Sequence, residues 1–166
     1  MTSPTITLWI LIAQTMASTA MAAIAWFVER VHYPLFAHVR SDGTGPRGDA
    51  VVSLSKVQDY HDENLRRTRP IVLVPMMIEA TTAAWLALFP PAAIGRGAAI
   101  AGLALVAVVV LSTALVQVPL HEALRGGEAP PNTIDRLVRT TRLRTVAWTA
   151  RAALAAWMLH ASAIAG

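Results

Sequence analysis

Glu29 and His32 stand three positions apart, a spacing that places a carboxylate and an imidazole on one side of a helix, as in carboxylate-bridged di-iron bundles. Two more imidazole–carboxylate groups follow, His61 with Asp62 and Glu63, and His121 with Glu122. Taken together, His32, His61, His121 and Glu29 form a mixed nitrogen and oxygen ligand set that suits iron. Two of the imidazoles, presented by facing helices, would equally serve as the axial ligands of a haem, although no spacing selects which two. Without a metal, the same histidines suit proton transfer, because an imidazole titrating near about pH 6.5 both gives and takes a proton at neutral pH. The plainer account is interfacial: His and Tyr rings have one wet and one apolar edge and gather where lipid meets water. For His38 and His160 this is the better account. The chain has no cysteine, which removes disulfides, thiolate ligands and thiol nucleophiles.

Glu79 and Arg151 belong to a different class, because each interrupts a long apolar run. An unpaired charge in a membrane-spanning helix costs about 2.5–3.5 kcal/mol on insertion scales, so each needs a partner or water. Glu79 lies ten residues past Arg69 and Arg151 seven past Arg144, which at 1.5 Å per residue puts both about 10–15 Å deep. A Glu79–Arg151 contact between two helices is therefore expected, with Ser112 or Thr113 of a third at similar depth. Such a pair either fixes helix packing or floors a polar cavity, where Glu79 and Arg151 would act as catalytic groups that orient a substrate. Met76 and Met77 would then line an adaptable wall. Glu79 is too far from His61 to share a metal with it, about 27 Å along one helix.

The elements that hold these residues are read from hydropathy. Of 166 residues 55% are hydrophobic and 14% charged, too few charges to coat a water-soluble globule of this size. Mean hydropathy is +0.50. The apolar residues come in blocks, and spans are expected over about residues 6–28, 70–89, 97–120 and 145–165. The expected fold is an all-α integral membrane protein, a single domain over residues 1–166, forming an antiparallel four-helix bundle with a long first cytoplasmic loop. No basic segment precedes the first span, and its apolar stretch is longer than the core of a signal peptide. Pro70 suits the first turn of the second span, Pro75 should kink it, and Pro90 and Pro91 stop it. Asn132 or Thr133 can cap an amphipathic lead-in to the fourth span. The loop around 41–49 is rich in Gly and Asp, and its Arg47-Gly48-Asp49 is a chance tripeptide.

Almost all basic residues fall in the connections 29–69 and 121–144, whereas Arg96 stands alone on the other side. By the positive-inside rule both termini face out and the long loops face the cytoplasm of a bacterial inner membrane. That orientation gathers Glu29, His32, Tyr33, Tyr60, His61, His121 and Glu122 at one cytoplasmic-side mouth. The net charge of +4 does not signal nucleic acid, since the arginines flank apolar spans. Arg66, Arg67 and Arg69, with Arg142 and Arg144, make two basic clusters suited to anionic lipid headgroups, or to the phosphate or carboxylate of a substrate.

Trp26-Phe27-Val28, Val31-His32-Tyr33-Pro34-Leu35-Phe36, Arg67-Thr68 and Pro75-Met76-Met77-Ile78-Glu79 form a recurring arrangement. It continues through Gln117-Val118-Pro119-Leu120-His121 and Arg142-Leu143-Arg144-Thr145-Val146-Ala147-Trp148-Thr149-Ala150-Arg151. This arrangement resembles small bacterial four-span proteins with no assigned role and, more distantly, the anthrone-oxygenase-like membrane family. The latter resemblance implies oxidation of polycyclic phenolic substrates and carries over no catalytic residue. Two functions are expected from these readings. One is an oxidoreductase or oxygenase acting on a small lipophilic molecule at the His-rich mouth. The other is a non-catalytic accessory or structural subunit of a membrane complex or homo-oligomer.

Overall fold

A computed structural model describes residues 3–34, 54–125 and 133–165 of the chain. His38, the 41–49 loop and Asn132 lie outside the described residues, as do the side chains of Tyr60, His61 and Asp62. The described chain is all-α. Helix α1 spans Pro4–Phe27 and passes into a π-helical turn at Val28–His32. Helix α2 spans Leu54–Leu88, and α3 spans Gly95–Ser112 and passes into a second π-helical turn at Thr113–Gln117. Helix α4, Val118–Arg125, continues that line, and α5 spans Thr133–Ala165.

Three segments are long and apolar enough to cross a membrane: Pro4–His32, Arg66–Leu88 and Gly95–Ala123. Helix α5 has the length as well, but Arg151 and His160 dilute its hydropathy. Large apolar side chains point outward all along the helices, with Met16, Leu88, Leu115, Val146 and Ile164 each about two-thirds exposed or more. An apolar surface this continuous fits hydrocarbon and not water.

Two boundaries differ from those expected. The second helix starts at Leu54, so Pro70 lies in its interior with Pro75 and does not open it. Each proline removes one amide donor and crowds the carbonyl four residues back, Arg66 and Ile71 respectively, yet the helix runs through both. Membrane helices tolerate this, because the surrounding turns hold the chain and neighbouring groups take up the freed carbonyl. The third span continues a little past its expected end at Leu120, to Ala123. The chain widens into a π-helical turn just before Pro119 and continues to Arg125.

Between α2 and α3 the chain turns in a few residues. Pro90 and Pro91 halt α2, the Ile94 and Gly95 amides donate to the Pro91 carbonyl at 3.0 and 3.1 Å, and Gly95 takes φ +74°. Only glycine adopts that backbone at little cost.

The helix interior is layered. Leu11, Leu86, Ile94, Ala99 and Met158 pack at the end that holds this turn. Met21, Ala25, Val109, Ala147 and Trp148 form a second apolar layer, joined by Val72, Met76 and Leu105. Tyr33, Leu120 and Leu137 form a third at the far end. Helix α1 packs most extensively on α5, and α3 also lies against α5. Thr145 donates its hydroxyl proton toward the Ala25 carbonyl at 3.4 Å, and the Trp26 indole donates to Thr149 Oγ1 at 3.1 Å, which ties α1 to α5 side by side.

Gly102 marks the closest approach of α3 to α5. A Cβ there would stand 2.5 Å from Arg151 Nη1 and 3.3 Å from its Cζ, whereas one on Gly97 would meet nothing within 4 Å. Alanine favours a helix over glycine by about 0.5–1 kcal/mol, so Gly97→Ala should hold or raise the melting temperature of the purified protein. Gly102→Ala should lower it. A melting temperature that rises equally in both variants would remove the close approach from the account.

Candidate functional site

The polar residues inside the helices fall into two sites. The deeper one lies between the first two apolar layers. Gln14 and Ser18, one turn apart on α1, face Glu79 of α2 and Arg151 of α5, all at most 1% exposed. Arg151 donates from Nε to Glu79 Oε2 at 2.8 Å, which is the expected contact. The Ser18 hydroxyl lies beside the same carboxylate. Ser18 also donates to the Gln14 carbonyl at 2.6 Å, holding its side chain down on its own helix.

The third helix meets the pair at Gly102 and not at Ser112 or Thr113. Those two hydroxyls turn back onto the Val109 carbonyl. The expected depth counted each helix from its last basic residue, but basic residues do not mark a common level. Leu120 packs beside Leu137, so Arg144 lies two turns deeper than Leu120, at the level where α3 ends. Long arginine stems reach outward from such positions, which blurs the boundary that charge seems to draw.

The second site lies at the far end. Here the two π-helical turns have the same design. Tyr33 donates its amide to the Val28 carbonyl and is followed by Pro34; Val118 donates to the Thr113 carbonyl and is followed by Pro119. Each widened turn ends at the residue before a proline, where the proline's missing donor and bulky ring must be accommodated. A π-helical turn shifts every later side chain around the helix axis, and such turns recur at functional sites. In this chain the shift brings Tyr33 and Gln117 face to face.

The Tyr33 hydroxyl donates to Gln117 Oε1 at 3.2 Å and lies 3.3 Å from His121 Nε2. Gln117 in turn donates from Nε2 to Thr140 Oγ1 at 2.7 Å and, more weakly, toward Thr141 Oγ1 at 3.4 Å. Thr140 completes the chain by donating to the Arg136 carbonyl at 2.7 Å. With His121 protonated at Nε2, the imidazole donates to Tyr33; with the other tautomer, Tyr33 donates to it. One proton thus has two settings across three side chains. Burial raises the Tyr33 hydroxyl above its ordinary value, against the nearby Arg144 charge and the Thr141 hydroxyl, so Tyr33 is a protonated donor at neutral pH.

Both imidazoles lie near Tyr33, His32 with ring centroids 5.6 Å apart and His121 at 6.4 Å. Glu29 is drawn to Arg142 at 3.7 Å. Among the described residues no three His, Asp or Glu side chains gather closely enough to hold a metal, and the His61 side chain is outside them. Glu63 is taken up by Arg66 and Arg67, which hold its carboxyl down to about 2.

Glu79 and Arg151 are brought together but kept from the mouth. The apolar layer of Met21, Ala25, Val109, Ala147 and Trp148 stands between the pair and Tyr33, so the pair does not floor a cavity opening toward the histidines. Met76 belongs to that layer, whereas Met77 is more than half exposed on the outer surface. Sequence reasoning missed Gln14, Ser18, Gly102, Gln117, Thr140 and Thr141. A signal existed for two of them: Gln14 and Ser18 are polar residues one helical turn apart inside an apolar span.

No family model, curated protein or solved structure matches this chain.

Two outcomes follow from this geometry. Removing one partner of a buried pair leaves an uncompensated charge and costs about 3–5 kcal/mol. Glu79→Arg alone should therefore abolish accumulation in the membrane, and adding Arg151→Glu should restore part of it. Absence of any rescue would show that the two charges do not act as a pair. At the mouth, Tyr33→Phe strands Gln117 Oε1, at about 1–3 kcal/mol, and Gln117→Leu leaves the Tyr33 hydroxyl with His121 alone, which should cost less. The double variant should be less destabilised than the sum of the two, with a coupling of at least about 1 kcal/mol in thermal or denaturant melts; strict additivity would contradict the hydrogen bond.

Proposed function

We propose that the chain is a four-span antiparallel protein of the bacterial inner membrane, with α5 as its fourth span, both termini outside and the mouth toward the cytoplasm. We further propose that it is an oxidoreductase or oxygenase-like protein that handles a small lipophilic substrate at that mouth. The observation that carries this reading is the Tyr33–His121 contact, with Gln117 fixing the phenol. A titratable imidazole sharing a proton with a buried phenol is equipped to give a proton to, or take one from, an oxygen-bearing ring or carbonyl. Val28, Val116 and Val138 pack around the same layer, so an apolar body would meet apolar walls. Membrane lipids supply the surroundings and the route of approach. The Glu79–Arg151 pair is assigned to packing, since a sealed ion pair has no access to substrate.

A second reading, a non-catalytic subunit of a membrane complex, draws on the mutual satisfaction of Gln117, Thr140 and Tyr33, which hold α1, α3 and α5 together without any ligand.

The two part in a lipid-extract profile of cells lacking the gene, complemented by wild type or by Tyr33→Phe/His121→Gln. An active site predicts a lipophilic compound that accumulates in reduced or less oxygenated form in the deletion strain and in the variant, and is cleared only by wild type. If the variant, present at wild-type abundance, clears it as well, the mouth is not catalytic and the subunit reading stands. Elemental analysis of the purified protein tests the His32, His61, His121 and Glu29 set in the same preparation: stoichiometric iron or haem that disappears in the triple histidine-to-alanine variant would assign it.

A further inference from the structure

The five basic residues that enter α2 and α5 look alike in sequence and are treated differently by the fold. Arg66 and Arg67 share the Glu63 carboxylate, and both side chains are about three-quarters exposed. Arg69 is exposed. Arg142 is exposed and turned to Glu29. Arg144 alone is largely withdrawn from solvent, its Nε has no hydrogen-bond partner, and it has no carboxylate partner among the described residues.

Its position is specific. Thr140 and Thr141, the hydroxyls that receive Gln117, precede it by four and three residues, on the same face of α5. Its charge acts on Tyr33, whose hydroxyl already meets Gln117 and His121. Beside the guanidinium stands the Tyr33 hydroxyl and, through it, the His121 ring. Leu120, Leu137 and Val138 form an apolar layer two turns away, toward the end of the helix that α5 begins from. Glu29 is engaged by Arg142. Burial pushes the Arg144 guanidinium below its ordinary value, opposed by Tyr33, which is the behaviour of a cation without a full counter-charge.

We propose that Arg144 is the anchor of an anion-binding site at the mouth, which takes a phosphate or carboxylate oxygen group carried by an amphiphile. A guanidinium presents donors in a planar fork that matches such a group, and a bound anion would remove the cost of a buried, unmatched charge. This rests on the mouth being a ligand site, as argued above, and it names the chemistry of the ligand's head. The anion reaches Arg144 either from the membrane, on an acyl or alkyl chain, or from the cytoplasm as a free ion.

The test measures binding rather than turnover, on the full chain in a maltoside micelle, with dodecyl phosphate, inorganic phosphate and dodecanol as probes. Dodecyl phosphate should bind wild type and Arg139→Gln alike, Arg139 being an exposed arginine on the same helix, and should lose about tenfold to a hundredfold in affinity in Arg144→Gln. Binding of inorganic phosphate with the same dependence on Arg144 would support the site and place its ligand in the cytoplasm; a requirement for the chain would support it and place the ligand in the membrane. Equal losses in Arg139→Gln and Arg144→Gln would overturn the proposal, as diffuse surface charge would then explain the binding. Dodecanol binding as tightly as dodecyl phosphate would overturn the anion site and leave the mouth as a lipophilic site. Failure of all probes would overturn both. Should Arg144→Gln not fold, Arg144→Lys keeps the charge without the fork, and unchanged wild-type affinity in that variant would overturn the assignment.

Discussion

Glu79 and Arg151 carry full charges in the middle of apolar helices, and much of the remaining architecture is arranged around making that tolerable. Neither charge could stay in hydrocarbon alone, so α2 and α5 are held in the one register that brings Nε to Oε2. The guanidinium is bulky, and α3 can close over it only where a residue lacks a Cβ, which is Gly102. The first helix adds Gln14 and Ser18, the polar residues of its buried face at that level. Apolar layers above and below then seal the group from both membrane faces. The pair thus acts as a key for helix assembly: hydrophobic burial is non-directional and gives helices in lipid little reason to choose one register over another, whereas a single buried charge pair distinguishes among them strongly.

The two polar sites are separated along the helices by an apolar layer. At the mouth, two proline-linked π-helical turns on different helices rotate Tyr33 and Gln117 toward each other. Two prolines therefore do at the mouth what Gly102 does in the middle: a backbone peculiarity sets the position of side chains that carry polar function. The contrast among the arginines follows the same logic. Those on the outer face pair with nearby carboxylates or meet solvent, and the one that shares a face with Thr140 and Thr141 is carried inward next to the phenol.

Much of this was legible in sequence because the membrane restricts the alternatives. Long apolar runs in a chain with few charges admit few folds besides helices, and a carboxylate and a guanidinium at matching depth have little choice but to meet. The limits of each helix were less legible. Pro70 reads as a helix start because a proline suits the first turn, yet α2 begins at Leu54 and runs through it. Depth along α3 was misjudged because arginines were taken as markers of a common level.

By itself, the sequence determined that the chain is helical and apolar enough for a membrane, that its polar residues gather at one end, and that Glu79 must find Arg151. Only the tertiary structure decided that Gly102 receives the guanidinium, that Gln117 and two threonines orient Tyr33, that Glu29 turns to Arg142, and that Arg144 is the least exposed arginine of its cluster. The physical reason is that hydropathy and charge are properties of single positions. Which face of a helix a residue occupies depends on the rotation accumulated along it, and here a single widened turn on each of two helices changes that rotation just before the residues that matter.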